Sequence, residues 1–166
     1  SILRRSPALL GLVVVQFLAN LSHGVLPAVS ALYVDDRFGW KTREVGFMLA
    51  TVGISSAIVQ ARLVRPLVAR LGERRALAVG LLFGTLGFAI YGAAPVGWLF
   101  LLGVPVMSLA GLAGASAQSL MSQQVAPTEQ GRLQGALSAV QAIAAIISPG
   151  LFNGVFTLVS GPLREY

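Results

Sequence analysis

The sequence predicts an all-α polytopic membrane protein, and three observations predict it. Of 166 residues 55% are hydrophobic and only 11% charged, where a soluble domain carries about a quarter. Mean hydropathy is +0.79. The formal charges are also bunched: none falls between Arg5 and Asp35, or between Arg75 and Glu129. Runs that are continuously apolar and rich in Ala, Leu and Gly suit helices, since barrel strands alternate apolar and polar residues in segments of about ten.

Because a charged side chain at mid-bilayer costs several kcal/mol and about 20 apolar residues cross the hydrocarbon, the gaps between charges measure the crossings. Five helices follow, forming a single transmembrane helical domain over 1–166. The first covers about 8–33 and is far longer than the 7–15 residues of a signal-peptide core. The second covers 45–64, with Arg62 near its far end, where a long side chain snorkels to the headgroups. The charge-free stretch after Arg75 holds two crossings, 76–93 and 98–121, turned at Ala94-Pro-Val-Gly-Trp98; proline, glycine and an interfacial tryptophan suit such a turn. The fifth covers 132–159, opened by Pro127-Thr-Glu129, with a kink expected at Ser148-Pro-Gly150. The glycine pairs Gly80/Gly84, Gly131/Gly135 and Gly150/Gly154 suit close helix contact in lipid.

Orientation follows from the basic residues. Arg4, Arg5, Arg62, Arg65, Arg70, Arg74, Arg75 and Arg132 fall on one side; Arg37, Lys41, Arg43 and Arg164 fall on the other. The richer side is cytoplasmic, which places the N-terminus inside. The net charge of +6 therefore reflects topology, and no nucleic-acid partner is expected. There is no cysteine and one histidine, which leaves no basis for a disulfide, a metal site or a cofactor. With no base and carboxylate placed to activate a serine, and no phosphate-binding glycine loop with lysine, catalysis is rejected.

The segment Arg65-Pro-Leu-Val-Ala-Arg-Leu-Gly-Glu-Arg-Arg75 resembles the second-half copy of the loop motif of the major facilitator superfamily. Gly72 would supply the tight turn, while Arg70, Arg74 and Arg75 sit at helix ends beside the anionic leaflet. Three strings in register, Asp36-Arg-Phe-Gly-Trp40, Leu71-Gly-Glu-Arg-Arg-Ala-Leu77 and Gln130-Gly-Arg-Leu-Gln-Gly135, resemble the carboxy-terminal half of its tetracycline-efflux branch over about 8–158. The resemblance implies helices seven to eleven of a twelve-helix drug/proton antiporter in a bacterial inner membrane, hence an incomplete second half. It departs from the motif at Arg65, Ala69 and Glu73. The acidic position of the third span aligns with Gly84, so no proton-coupling carboxylate carries over.

Neutral polar groups inside the spans are the candidate substrate path. Gln16, Asn20 and His23, with Pro27, share one stripe of the first helix; Gln60 lies on the second, Gln118 on the fourth, Gln141 and Asn153 on the fifth. Interhelical hydrogen bonding, which polar side chains in lipid must find, explains most of them; Gln118, in a stretch with Gly111 and Gly114, matches the resembled family best and stands with His23 as cavity-lining. Arg62 and Arg65, one turn apart, suit headgroup contact or an acidic partner. Two functions remain open: transport of an amphipathic small molecule, with the missing half supplied elsewhere, or a non-transporting accessory subunit packed against other transmembrane helices and lipid.

Overall fold

A computed structural model describes residues 7–160, and it leaves the side chains of residues 27–29, 159 and 160 undescribed; Arg4, Arg5 and Arg164 lie outside the described residues. Every regular element within that range is helical. In chain order they are α1 (Pro7–His23), α2 (Val25–Phe38), α3 (Thr42–Ile58), a π-helical turn (Val59–Leu63), α4 (Val64–Leu71), α5 (Glu73–Ala93), α6 (Gly97–Ser108), α7 (Gly111–Ser122), a 3₁₀ turn (Pro127–Glu129) and α8 (Gln130–Ser160). Four helical stretches are long and apolar enough to cross a membrane: Thr42–Leu71, Glu73–Ala93, Gly97–Ser122 and Pro127–Leu158. A shorter apolar helix, Pro7–His23, precedes them.

Three crossings differ in detail from the charge-gap reading. The first is not one helix over 8–33: it breaks at Gly24 and resumes as α2, which runs on to Phe38. The second does not end at Val64. It continues through the π turn to Leu71, 30 residues in all, or about 45 Å at 1.5 Å per residue. That is longer than the roughly 30 Å hydrocarbon core is thick. In the fourth, Pro105 inside α6 is followed by a short turn at Leu109–Ala110 before α7 begins. By contrast α8 runs through Pro149 without interruption.

The chain divides into two compact units, residues 34–123 and the remainder. The core of the first is the antiparallel pairing of α5 with α6 and α7. Between helices in lipid the association comes from packing and hydrogen bonds, with no hydrophobic drive, so small residues mark the contact. Here a Cβ added at Gly87 would lie 2.8 Å from Met107 Sδ, one at Gly84 3.3 Å from Ala110 Cβ, and one at Gly80 2.3 Å from the Ala113 nitrogen. The Gly80/Gly84 pair thus packs as its spacing implies. Gly84 is a contact residue in this chain. Gly131, Gly135, Gly150 and Gly154 have nothing within 4 Å of such a Cβ.

Each end of this unit is pinned by polar or aromatic groups. At one end Glu73, in the first turn of α5, accepts from Ser119 Oγ and from Gln123 Nε2 at 2.7 Å, so the motif's departure at Glu73 ties α5 to the end of α7. Its charge also suits the positive end of α5. Gly72 makes the preceding turn with φ +75, a conformation that favours glycine. At the other end Gly39 turns with φ +66 and delivers Trp40 to a cluster with Phe38, Phe100 and Tyr91. The Tyr91 and Phe100 rings stack at 4.4 Å, and Trp40 meets Phe100 edge-on at 6.2 Å. Arg37 Nε donates to the Ala94 carbonyl at 3.2 Å. The string Asp36-Arg-Phe-Gly-Trp40 therefore closes over the α5–α6 turn.

In the second unit α1 packs against α8. Leu9, Val13, Leu133, Ala144 and Ser148 are its buried residues. Much of α8 is apolar and uncovered, Ile146 at 78% and Leu158 at 75% exposure, as suits a surface meeting lipid or another helix.

Candidate functional site

The break in the first crossing builds the site. Gly24 N–H is shared between the carbonyls of Asn20 at 3.0 Å and Leu21 at 3.1 Å, the pattern of a helix end. Proline at position 27 has no N–H with which to extend the helical ladder backwards. The last carbonyls of α1 therefore need other donors. One comes from α8: the Ser148 hydroxyl donates to its own Ala144 carbonyl at 2.7 Å, with the Leu21 carbonyl as a second acceptor at 3.3 Å. Ser148 is 1% exposed.

Around this contact lies an open groove of about 590 Å³ lined by Asn20, His23, Gly24, Gln141, Ala145, Ser148 and Pro149. Asn20 is held by Gln16, whose Nε2 donates to Asn20 Oδ1 at 3.3 Å, leaving the Asn20 amide N–H groups to serve elsewhere. The His23 imidazole donates to the Ala19 carbonyl one turn back. Gln141 sits on α8 two turns before Ser148, on the same face. The lining residues include no Asp, Glu, Lys or Arg. The groove therefore offers amide, imidazole and hydroxyl groups on an apolar wall, a composition that orients a small molecule through a few hydrogen bonds.

The structure thus brings Asn20, His23 and Gln141 together, with Gln16 behind Asn20. It does not bring Asn153 into the groove's lining; that residue is exposed further along α8, its carbonyl taken by the Thr157 hydroxyl. Gln60, in the π turn, and Gln118, on α7, are exposed in the other unit. Of Pro27 only the backbone is described. Four lining residues escaped the polar-residue reading, Gly24, Ala145, Ser148 and Pro149, and of these Gly24 and Ser148 make the helix contact. Their signals were a glycine three residues before a proline, and a serine directly before one.

The remaining candidates were expected in a cytoplasmic loop, but of the motif only Gly72 stands outside a helix. Arg65 and Arg70 on α4, and Arg74 and Arg75 in the first turn of α5, are exposed, as is Arg62 in the π turn. Among the described residues no group of three His, Cys, Asp or Glu is placed to hold a metal ion.

Helices of membrane length joined by short turns define an all-α polytopic membrane protein. A family model described as Major Facilitator Superfamily matches residues 1–160, and the chain belongs to that superfamily. Among curated proteins it is similar to tetracycline resistance protein, class G, of Vibrio anguillarum, 34% identical over 163 residues, covering 96% of this chain and 42% of the relative. It is also similar to tetracycline resistance protein, class C, of Escherichia coli, 30% identical over 87% of this chain and 37% of the relative. A human relative, Hippocampus abundant transcript-like protein 1, is 24% identical over 81% of this chain and 26% of its own length. The chain thus spans about two fifths of the length of the bacterial relatives. No solved structure matches it.

Proposed function

We propose that this chain is the carboxy-terminal half of a drug transporter of the superfamily, an incomplete second half that works with a partner half on the same or another polypeptide. It carries an amphipathic small molecule of the tetracycline type across a bacterial inner membrane, with the arginine-rich loops and the N-terminus on the cytoplasmic side. It acts by alternating access and catalyses no bond change. The proton-binding carboxylates belong to the partner half, since Gly84 here is a packing residue.

The observation that carries this reading is the groove. Gln141 has no hydrogen-bond partner among the described residues, although its amide opens on a segment that crosses lipid, and an unsatisfied amide there is costly. A ligand that fills the groove supplies the partner. Asn20 and His23 stand across from it, on the other helix.

The test is binding of tetracycline, followed by its fluorescence, to the 166-residue chain in lipid nanodiscs. Saturable binding that Gln141→Leu weakens about tenfold supports the reading; a folded chain that binds no tetracycline overturns it. One observation favours a second reading, an accessory subunit in a larger membrane complex. Arg62 and Arg65 stand exposed on one segment with no ion pair among the described residues, as an acidic partner would require. Purification from native membrane in mild detergent separates the two: stoichiometric recovery with a larger complex favours the subunit, and recovery with a six-helix half favours the transporter.

A further inference from the structure

We propose that Gly24 and Ser148 form a spacer that sets the width of the groove, and so the size of ligand it admits; the inference rests on the groove being a ligand route. The two residues meet at closest approach: a Cβ on Gly24 would lie 2.2 Å from Ser148 Oγ and 2.4 Å from Ser148 Cβ. Neither partner has room to give. Ser148 is buried, and its hydroxyl is committed to the Ala144 and Leu21 carbonyls. Gly24 is fixed by its N–H, shared between Asn20 and Leu21.

This contact lies in line with the groove's polar groups. Asn20 is one turn before Gly24 on α1, and His23 adjoins it; on α8 Gln141 and Ala145 precede Ser148 at helical spacing, on one face. All of them line the same groove. The distance between the Asn20 and Gln141 amides, which a ligand must bridge, is therefore governed by how closely α1 and α8 approach at Gly24 and Ser148. A methyl group at position 24 must move from 2.2 Å to the 3.4 Å of ordinary contact, so the helices part by about an ångström. Such a misplacement of binding groups matters strongly. Removing the Ser148 side chain instead takes away the spacer, so the helices close in and the groove narrows. The two single changes therefore act in opposite directions, and the two together cancel, because the added methyl fills the space left by the hydroxymethyl group.

The experiment measures binding of two probes to the full chain in nanodiscs: tetracycline, and a tetracycline bearing a bulky alkylamide. Spin labels at positions 18 and 147 report the α1–α8 distance without any ligand. Gly24→Ala lengthens that distance and moves the affinity ratio toward the bulky probe about tenfold. Ser148→Gly shortens the distance and moves the ratio the other way, and the double variant G24A/S148G returns both distance and ratio toward the starting values. Should Gly24→Ala not fold, Ser148→Gly and the double variant still decide the matter. An unchanged ratio in folded single variants, or a double variant no better than the worse single, overturns the spacer. Wild-type chain that binds neither probe overturns the groove reading itself, and the label distances then show whether the contact spaces the helices all the same.

Discussion

The indole of Trp40 occupies the space that a side chain at position 97 would need: a Cβ on Gly97 would lie 2.3 Å from Trp40 Cζ2. A loop residue is thus keyed into the turn between two crossings. Trp40→Ala removes the key and the edge contact with Phe100, and is expected to cost about 3 kcal/mol. Gly97→Leu should do comparable damage from the other side. Thermal unfolding in detergent measures both, and a loss below about 0.5 kcal/mol for both would show that the cluster contributes little.

Glu73 holds Ser119 and Gln123 across the α5–α7 contact. Hydrogen bonds to a charged acceptor contribute about 1.5–3 kcal/mol each when protected, and less here because the site is partly exposed. Glu73→Ala should destabilise by about 2 kcal/mol, and Glu73→Gln by less. Hydrogen exchange at the end of α7 gives a local check: protection there should fall in Glu73→Ala while that of α8 stays unchanged.

An acid placed at position 84 should not be tolerated. A Cβ there already meets Ala110 at 3.3 Å, and an unpaired carboxylate in this packed contact costs several kcal/mol. Gly84→Asp is expected to lower membrane yield and thermal midpoint. Adding Ala110→Gly should recover part of the steric loss and none of the charge cost. Full recovery in the double variant would mean that the charge is not buried.

Lys41 Nζ pairs with Asp35 at 2.8 Å, with both side chains largely exposed. The hydrogen bond and charge of Asp35 raise the lysine above its ordinary value. A raised lysine contributes stability that is fully present below its unfolded pKa and lost as pH climbs through the folded value. The difference in thermal midpoint between the natural chain and Lys41→Met should therefore be small and constant through neutral pH, then vanish beyond about pH 10.5. Salt should shrink it as well. A difference that grows with alkalinity would contradict the pairing.

Arg62 and Arg65 should hold anionic headgroups, at about 1 kcal/mol per arginine. Native mass spectrometry of R62Q/R65Q is expected to show fewer retained phosphatidylglycerol molecules, with neutral lipids unchanged. Equal retention of both lipid classes would assign the pair to protein contact instead.

The helices were legible because ionised groups cannot sit in hydrocarbon, although the charges at Arg62 and Arg65 misplaced the end of the second, which runs on to Leu71. The break at Gly24 lies in a charge-free run and left no such mark; Gly24 and Pro27 announced it only by their backbone preferences. The π turn at Val59–Leu63 has no residue signature at all. Of the site, Asn20, His23 and Gln141 were legible because polar groups in lipid are conspicuous. Ser148 was not: a helical serine ordinarily bonds its own preceding turn, and its reach to Leu21, 127 residues away in sequence, is a fact of tertiary packing. Gln60 and Asn153 looked equivalent to Gln141 for the same reason, and Gln118 stood ahead of it by resemblance; which helix each lies on, and where along α8, separates them.

The wide turn at Val59–Leu63 spaces its backbone bonds one residue further apart than its neighbours do. It acts as a slack loop in an otherwise taut cable. A residue inserted or deleted there alters the helix by about a hundred degrees of rotation downstream, swinging the α4 arginines to another side while leaving the upstream lipid face untouched. Length variation in this transmembrane rod is therefore cheapest at that point, and two such chains differing by one residue would present the same apolar face with their basic groups aimed at different neighbours.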